Sequence, residues 1–167
     1  ISAVLRHGKT VYGDAECVTW TESGPRRATY AAVADNAGRA ANALARLGVK
    51  QGDRVGTFMW NTQEHMEVYL AVPSMGAVVH TLNIRLFSEQ LAYVINHGED
   101  RIIFVDDSLV PALAKVVSEL TTVERFVIFG DVECDASLLG TDLPVLRYSD
   151  LIAQEPPDFE WPDRDER

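Results

Sequence analysis

The residue types able to do chemistry are spread thinly along this chain. Its four histidines, His7, His65, His80 and His97, lie on different stretches, and no two show the one-turn spacing at which a helix presents imidazoles to a metal. Cys17 and Cys134 are far apart in sequence and form no metal-type couple, so they read as two reduced, partly buried thiols with no disulfide framework. Ser74 stands in Pro73-Ser74-Met75-Gly76, which lacks the first glycine of a nucleophile elbow and precedes a strand instead of following one. Gly48 and Gly52 also come before a strand, as a helix stop and a turn, whereas a dinucleotide fingerprint follows a strand and opens a helix. Asp106-Asp107 closes a strand, where ligands often approach, yet the pair reads as cap and turn residues. Asn83 and Arg85 are the most tempting polar pair, and they read as a turn and a surface or subdomain contact. Trp60, Met66 and Tyr69 read as core. No residue is therefore assigned to catalysis, cofactor binding or metal ligation.

The elements that would position such residues are better marked. The runs Arg54 to Trp60, Ala77 to Leu82, Arg101 to Val105 and Arg125 to Phe129 alternate with helical stretches, as strand-helix-strand crossovers require. Ile102-Ile103-Phe104-Val105 and Phe126-Val127-Ile128-Phe129 are continuous apolar runs, the pattern of parallel strands buried on both faces. An α/β fold with a parallel sheet and flanking crossover helices follows. The spacing of Val33, Ala37, Ala40, Leu44 and Leu47 predicts a helix over 30–47, capped by Thr29 and stopped by Gly48, with an alanine-rich stripe for close packing on the sheet. A second helix is expected from Asn61 or Thr62 towards Met75, ended or kinked by Pro73. A third runs from Ser88 as cap to His97, closed by Gly98, and a fourth from Pro111 to Leu120. Glu16 to Trp20 and Arg26 to Thr29 flank Ser23-Gly24-Pro25 as a hairpin. Val145 to Tyr148 reads as one more strand, with Ser149 capping a short helix to Gln154. Residues 155–167, with Pro156-Pro157 and several acids, read as an extended acidic linker.

Composition narrows the partners. A chain of 167 residues with 47% hydrophobic and 24% charged content can bury a core. A net charge of -10 argues against nucleic acid or an anionic membrane surface, both of which reward clustered Lys and Arg. The apolar runs are too short to span a bilayer and the start has no basic-then-apolar leader, so a cytoplasmic location is the default expectation. The opening Ile1 and the polar close Trp161 to Arg167 are expected to be cuts in something longer.

A resemblance adds to this reading. The stretches Arg27-Ala28-Thr29-Tyr30-Ala31-Ala32-Val33 and Leu44-Ala45-Arg46-Leu47-Gly48-Val49-Lys50-Gln51-Gly52-Asp53-Arg54-Val55 are followed by Trp60-Asn61-Thr62-Gln63-Glu64-His65. Then come Gly76-Ala77-Val78-Val79-His80-Thr81-Leu82-Asn83-Ile84-Arg85-Leu86 and Glu89-Gln90-Leu91-Ala92-Tyr93-Val94-Ile95-Asn96-His97. In this order they resemble the opening of acyl-CoA synthetases of the adenylate-forming, AMP-binding superfamily, in its medium- and long-chain fatty acid branch. The likeness runs from about Leu5 over nearly the whole chain, with Asp131 to Leu143 in the place where such proteins vary. Members often carry Glu where Ala32 stands, so half of a capping box is missing here.

The resemblance implies that residues 1–154 are part of the large N-terminal α/β domain of a fatty-acid-CoA ligase. It implies too that 155–167 lead towards a Ser/Thr/Gly-rich phosphate loop this sequence does not contain. The parent would activate a fatty acid with ATP to an acyl-adenylate and pass the acyl group to CoA. The chemistry is sensible: a carboxylate is a poor electrophile until its oxygen becomes a good leaving group, and Mg with cationic side chains offsets the charge gathering on phosphate. ATP, Mg, CoA and a fatty acid in an apolar tunnel are thus expected of the parent, and none of them of this stretch alone. Self-association through apolar surface and peripheral membrane association of the parent are also expected. The later family motifs, with the ribose-binding Asp and the catalytic Lys, are absent, so no family residue carries over and the chain alone should be inactive. Two other readings stand beside this one: a non-catalytic α/β binding or interaction module, and a piece of an acyl-AMP or aryl-CoA ligase.

Overall fold

Thr29 leaves extended backbone (ψ 157°) and its Oγ1 accepts from Ala32 N at 3.1 Å, so the chain turns from strand to helix at that residue. In the computed structural model, which describes residues 1–130 and 136–163, this cap opens α2 (Tyr30–Arg46). Cys134 and part of the variable stretch lie outside the described residues. The chain forms two compact units: residues 1–52, 61–78 and 151–167 make one, and 53–60 with 79–150 the other.

The first unit holds α1 (Ser2–Val11), the hairpin β1 (Glu16–Thr21) and β2 (Gly24–Thr29), α2 and α3 (Gln63–Ser74). The alanine stripe of α2 is buried as Ala34, Ala37, Ala40, Ala41 and Ala43, with Gly38 among them. It packs against α3 and α1, where the small side chains allow close helix-helix approach. The cap of α3 is Thr62, whose Oγ1 accepts from His65 N at 3.3 Å, and Pro73 sits in its last turn, one residue before its end. Two contacts fasten the hairpin to α3. Thr19 Oγ1 accepts from Gln63 N at 2.9 Å, and the Arg26 guanidinium grips the Glu64 carboxylate with both nitrogens. Glu67, 1% exposed, accepts from Asn36 Nδ2 and Gln63 Nε2, each at 2.8 Å.

Residues 154–163 form no helix or strand, and Glu155 to Asp158 are laid along α2. Asn42 Nδ2 donates to the carbonyls of Pro156 and Asp158, both at 2.9 Å, Arg39 donates to that of Glu155, and Arg46 Nε meets the Glu155 carboxylate at 2.6 Å. Gly38 leaves the space that the Pro157 backbone occupies: a Cβ there would stand 2.9 Å from the Pro157 carbonyl carbon and closer still to its oxygen. The segment is a strap held against a helix.

The second unit is built on a five-stranded sheet in the order β4-β3-β5-β6-β7. The strands are β3 (Arg54–Phe58), β4 (Val78–Thr81), β5 (Asp100–Asp106), β6 (Arg125–Phe129) and β7 (Val145–Arg147), with β3, β5, β6 and β7 parallel in that sequence. Alternate residues face opposite ways. Ile103, Val105, Phe126 and Ile128 join Leu91 and Ile95 of α4 (Ser88–Gly98) and Val110 and Leu113 of α5 (Val110–Leu113) in one core. Phe104 turns to the other face, where its ring lies 5.5 Å from Phe129 and 6.3 Å from Tyr148. Tyr148 opens the last helix, α6 (Tyr148–Ala153).

Four expectations need correction. The fourth helix is broken: a 3-10 turn over Asp107–Leu109 precedes α5, which ends at Leu113, and a second 3-10 turn follows at Val117–Glu119. Gly98 does not close α4 as a left-handed residue, because that conformation falls on Glu99 (φ 53°). Gly98 instead makes room for a ring, as described below. Ser88 is the first helical residue and not the cap: Phe87 holds that place, its N donating to Gln90 Oε1 at 3.3 Å. Trp60 and Tyr69, read as core, are exposed, and Met66 is only half-buried.

Candidate functional site

Ligands of open α/β sheets approach the carboxyl ends of the strands, where the helices that follow begin. In the second unit that edge carries a chain of hydrogen bonds. β3 runs out through Met59 to Trp60, whose indole is 49% exposed and whose Nε1 donates to Ser108 Oγ at 3.0 Å. Ser108 Oγ in turn donates to Asp106 Oδ1 at 2.5 Å, and the same oxygen accepts from Ser108 N at 3.1 Å. Asp106 thus caps the 3-10 turn that follows β5. The neighbouring Asp107 side chain fills the space beside Gly130, at the end of β6, where no Cβ could fit. An indole, a hydroxyl and two carboxylates from separate strand ends therefore converge on one edge. Sequence reasoning read Asp106-Asp107 rightly as cap and turn residues but did not join them to Trp60, which is 48 positions from Ser108.

These hydrogen bonds hold the edge in a fixed geometry. Ser108 is committed as a donor to a carboxylate, with no imidazole within the set to activate it. Asp106 and Asp107 bring negative charge to this edge. Among the described residues no three of His, Cys, Asp and Glu form a metal-holding group.

The first unit carries a cavity of about 480 Å³ between α1, β1 and α3, lined by Val4, Val18, Met66, Tyr69 and Leu70 with the more polar Cys17, Thr19 and His65. The Cys17 thiol is pushed up by burial and by the Glu67 and Glu64 carboxylates, against the pull of Arg26, which disfavours thiolate chemistry. His65 is buried, with its ring edge-on to Tyr69 at 5.1 Å.

The remaining candidates fall apart as a set. His7 packs edge-on to Tyr12 at 5.6 Å, and His97 stacks on Tyr93 at 5.3 Å. Ser74 Oγ is buried and has no hydrogen-bond partner among the described residues. Asn83 Oδ1 accepts from Arg85 N at 3.0 Å, a local Asx turn with both side chains exposed. Gly48 (φ 85°) and Gly52 (φ 81°) take left-handed turns. His80 alone has a titratable partner, Asp100.

Comparison with known proteins gives this geometry a family setting. The profile described as "AMP-binding enzyme" matches residues 5–165. The chain is 40% identical over 168 residues to the 3-methylmercaptopropionyl-CoA ligase of Ruegeria lacuscaerulensis, covering 99% of this chain and 31% of that protein. It is 38% identical over 167 residues to the medium-chain-fatty-acid--CoA ligase of Ectopseudomonas oleovorans, with 99% and 30% coverage. Among solved structures, the anthranilate CoA ligase AuaEII in complex with anthranoyl-AMP superposes with a TM-score of 0.83 at 21% identity, over 96% of this chain and 29% of that one. The likeness shows a shared fold. The chain spans about three tenths of the length of the curated relatives it matches.

Proposed function

This chain belongs to the AMP-binding enzyme family, and from that premise we propose that it forms part of an adenylate-forming acyl-CoA ligase acting on an aliphatic carboxylic acid. The whole enzyme would convert the acid and ATP to an acyl-adenylate and pyrophosphate, and then transfer the acyl group to the thiol of CoA. Residues 1–154 would supply the first α/β part of the large domain, and 155–167 would lead the chain towards the nucleotide-binding loop. What carries the reading is the unbroken match over 5–165, together with two aliphatic-acid ligases at 38% and 40% identity across nearly the full chain.

The role of this region is mechanical. It would offer a parallel sheet whose carboxyl edge is tied together by Trp60, Ser108 and Asp106, with the nucleotide-handling groups supplied by other parts of the enzyme. The groups that offset charge on the phosphates would come from elsewhere in the enzyme. Alone, the chain would bind no ATP and release no pyrophosphate.

The test is an assay of the complete gene product, with pyrophosphate release and CoA-thioester formation measured over straight-chain acids of graded length and over aromatic acids. Thioester from the straight-chain set supports the proposal. Thioester from aromatic acids alone would move the assignment to aryl-CoA ligation. Adenylate without thioester would indicate a carrier-protein acceptor. A gene product that spans only this stretch, and that neither hydrolyses ATP nor forms a thioester, would leave a non-catalytic binding module.

A further inference from the structure

One buried polar pair in the second unit takes no part in the carboxyl edge. Asp100 opens β5 and is 0% exposed. Its Oδ2 lies 2.8 Å from Nδ1 of His80 on the edge strand β4. Because β3 lies between those two strands, the carboxylate must cross over β3, and it does so at Gly56, where a Cβ would stand 3.2 Å from Oδ2. On the other side of the imidazole is Gly98, where a Cβ would stand 2.8 Å from Nδ1. Two positions in two elements are thus kept bare around one hydrogen bond. The other carboxylate oxygen, Oδ1, is buried and has no hydrogen-bond partner among the described residues.

The surroundings decide which charge state suits the place. Arg54, at the start of β3, donates to the Gly98 carbonyl at 2.7 Å and pairs with Glu99. Arg101, next to Asp100, turns to Asp53 and Glu124. Thr122 reaches only the Asp100 backbone carbonyl, at 3.0 Å. Among the described residues Oδ1 accepts no hydrogen bond, so an ionised Asp100 keeps a buried, unpartnered oxygen bearing charge, and protonation lowers that cost. The imidazole side chain is 30% exposed and gives the pair a route to solvent.

We infer that His80 and Asp100 form a proton-linked latch, which fastens edge strand β4 to the start of β5 more tightly when Asp100 is protonated than when it is charged. Burial pushes the Asp100 carboxyl above its ordinary range, against the opposing pull of His80 and Arg54. A carboxyl raised in the folded state contributes stability that is fully present below its unfolded pKa and is lost as pH rises through its folded pKa.

The experiment compares denaturant unfolding of this chain and of D100N at several pH values from 4.5 to 8. The amide keeps a hydrogen bond to His80 and carries no charge. The folding constant of D100N relative to the parent is expected to grow as pH rises, about tenfold for each unit by which Asp100 is raised. A ratio that stays flat or falls with pH overturns the latch. If D100N does not fold, the carboxyl carbon-13 shift of Asp100 in the parent decides. A midpoint above that of the exposed carboxylates supports the latch, and one at or below it overturns it.

Discussion

Replacing Gly38 by Ala should loosen the strap along α2, although the same change in most helices is favourable. In a helix interior alanine is better than glycine by about 1 kcal/mol. Here the new methyl would stand 2.9 Å from the Pro157 carbonyl carbon and nearer its oxygen, closer than a Cβ can sit. Gly38 is buried in a rigid helix, so the strap is the part that yields. Lifting it breaks the hydrogen bonds from Asn42 to Pro156 and Asp158 and strains those from Arg39 and Arg46 to Glu155. At about 0.5–1.5 kcal/mol each, losing two to four bonds costs roughly 1–6 kcal/mol against the helix gain. Within that range a local loss of about 1–3 kcal/mol is expected, roughly a fivefold to hundredfold rise in the open population. Limited proteolysis near Phe159 and Trp161, with amide exchange of Glu155 and Asp158, reads this directly. N42A, which removes two bonds without touching the packing of α2, should open the same segment. An unchanged cleavage rate with unfolding stability raised by about 1 kcal/mol would show that the strap is not seated on Gly38.

Further outcomes are expected. W60F keeps a ring and loses the donor to Ser108, so it should cost about 0.5–1.5 kcal/mol, read as a lower denaturation midpoint; no change would show that the bond is dispensable. Acidification should remove stability through two carboxylates. Glu124 is held below its ordinary range by hydrogen bonds from Arg101, and Glu64 is held down by Arg26 despite burial, which acts the other way. Groups depressed in the fold contribute stability above their unfolded pKa and lose it as pH falls through the folded one, so R26A and R101A should each flatten the acid limb of the unfolding profile. Exposed Trp20 (81%), Val4 and Val18 around the first unit's cavity should drive self-association of this chain. Sedimentation showing only monomer at high concentration would refute that, and W20S should weaken whatever association occurs.

The parallel sheet was legible because β5 and β6 are buried on both faces, and their continuous Ile, Val and Phe runs have no other comfortable home. The start of α2 was legible from Thr29, a local cap. α1 was not: it begins without a side-chain cap and buries only Leu5, and its tie to α2 is the pair Lys9–Asp35 at 2.6 Å, across 26 positions. Gly98 misled because glycine ends helices by rule, whereas here its missing Cβ answers to His80 on another strand. The polar edge was out of reach for the same reason. Asp106, Ser108 and Trp60 look ordinary one by one, and only strand order brings them together.

The strap also sets an order of events during synthesis. Arg39 is made 116 residues before the Glu155 carbonyl it holds. At about 5–20 residues per second, roughly 6–23 s separate the two on the ribosome. Through that interval α2 can gather α1 and the hairpin, but the groove at Gly38 stays open and its arginines and asparagine keep water as their partner. This step of assembly in the unit therefore waits on residues 155–158, and a nascent chain halted before Glu155 would present this side of α2 bare.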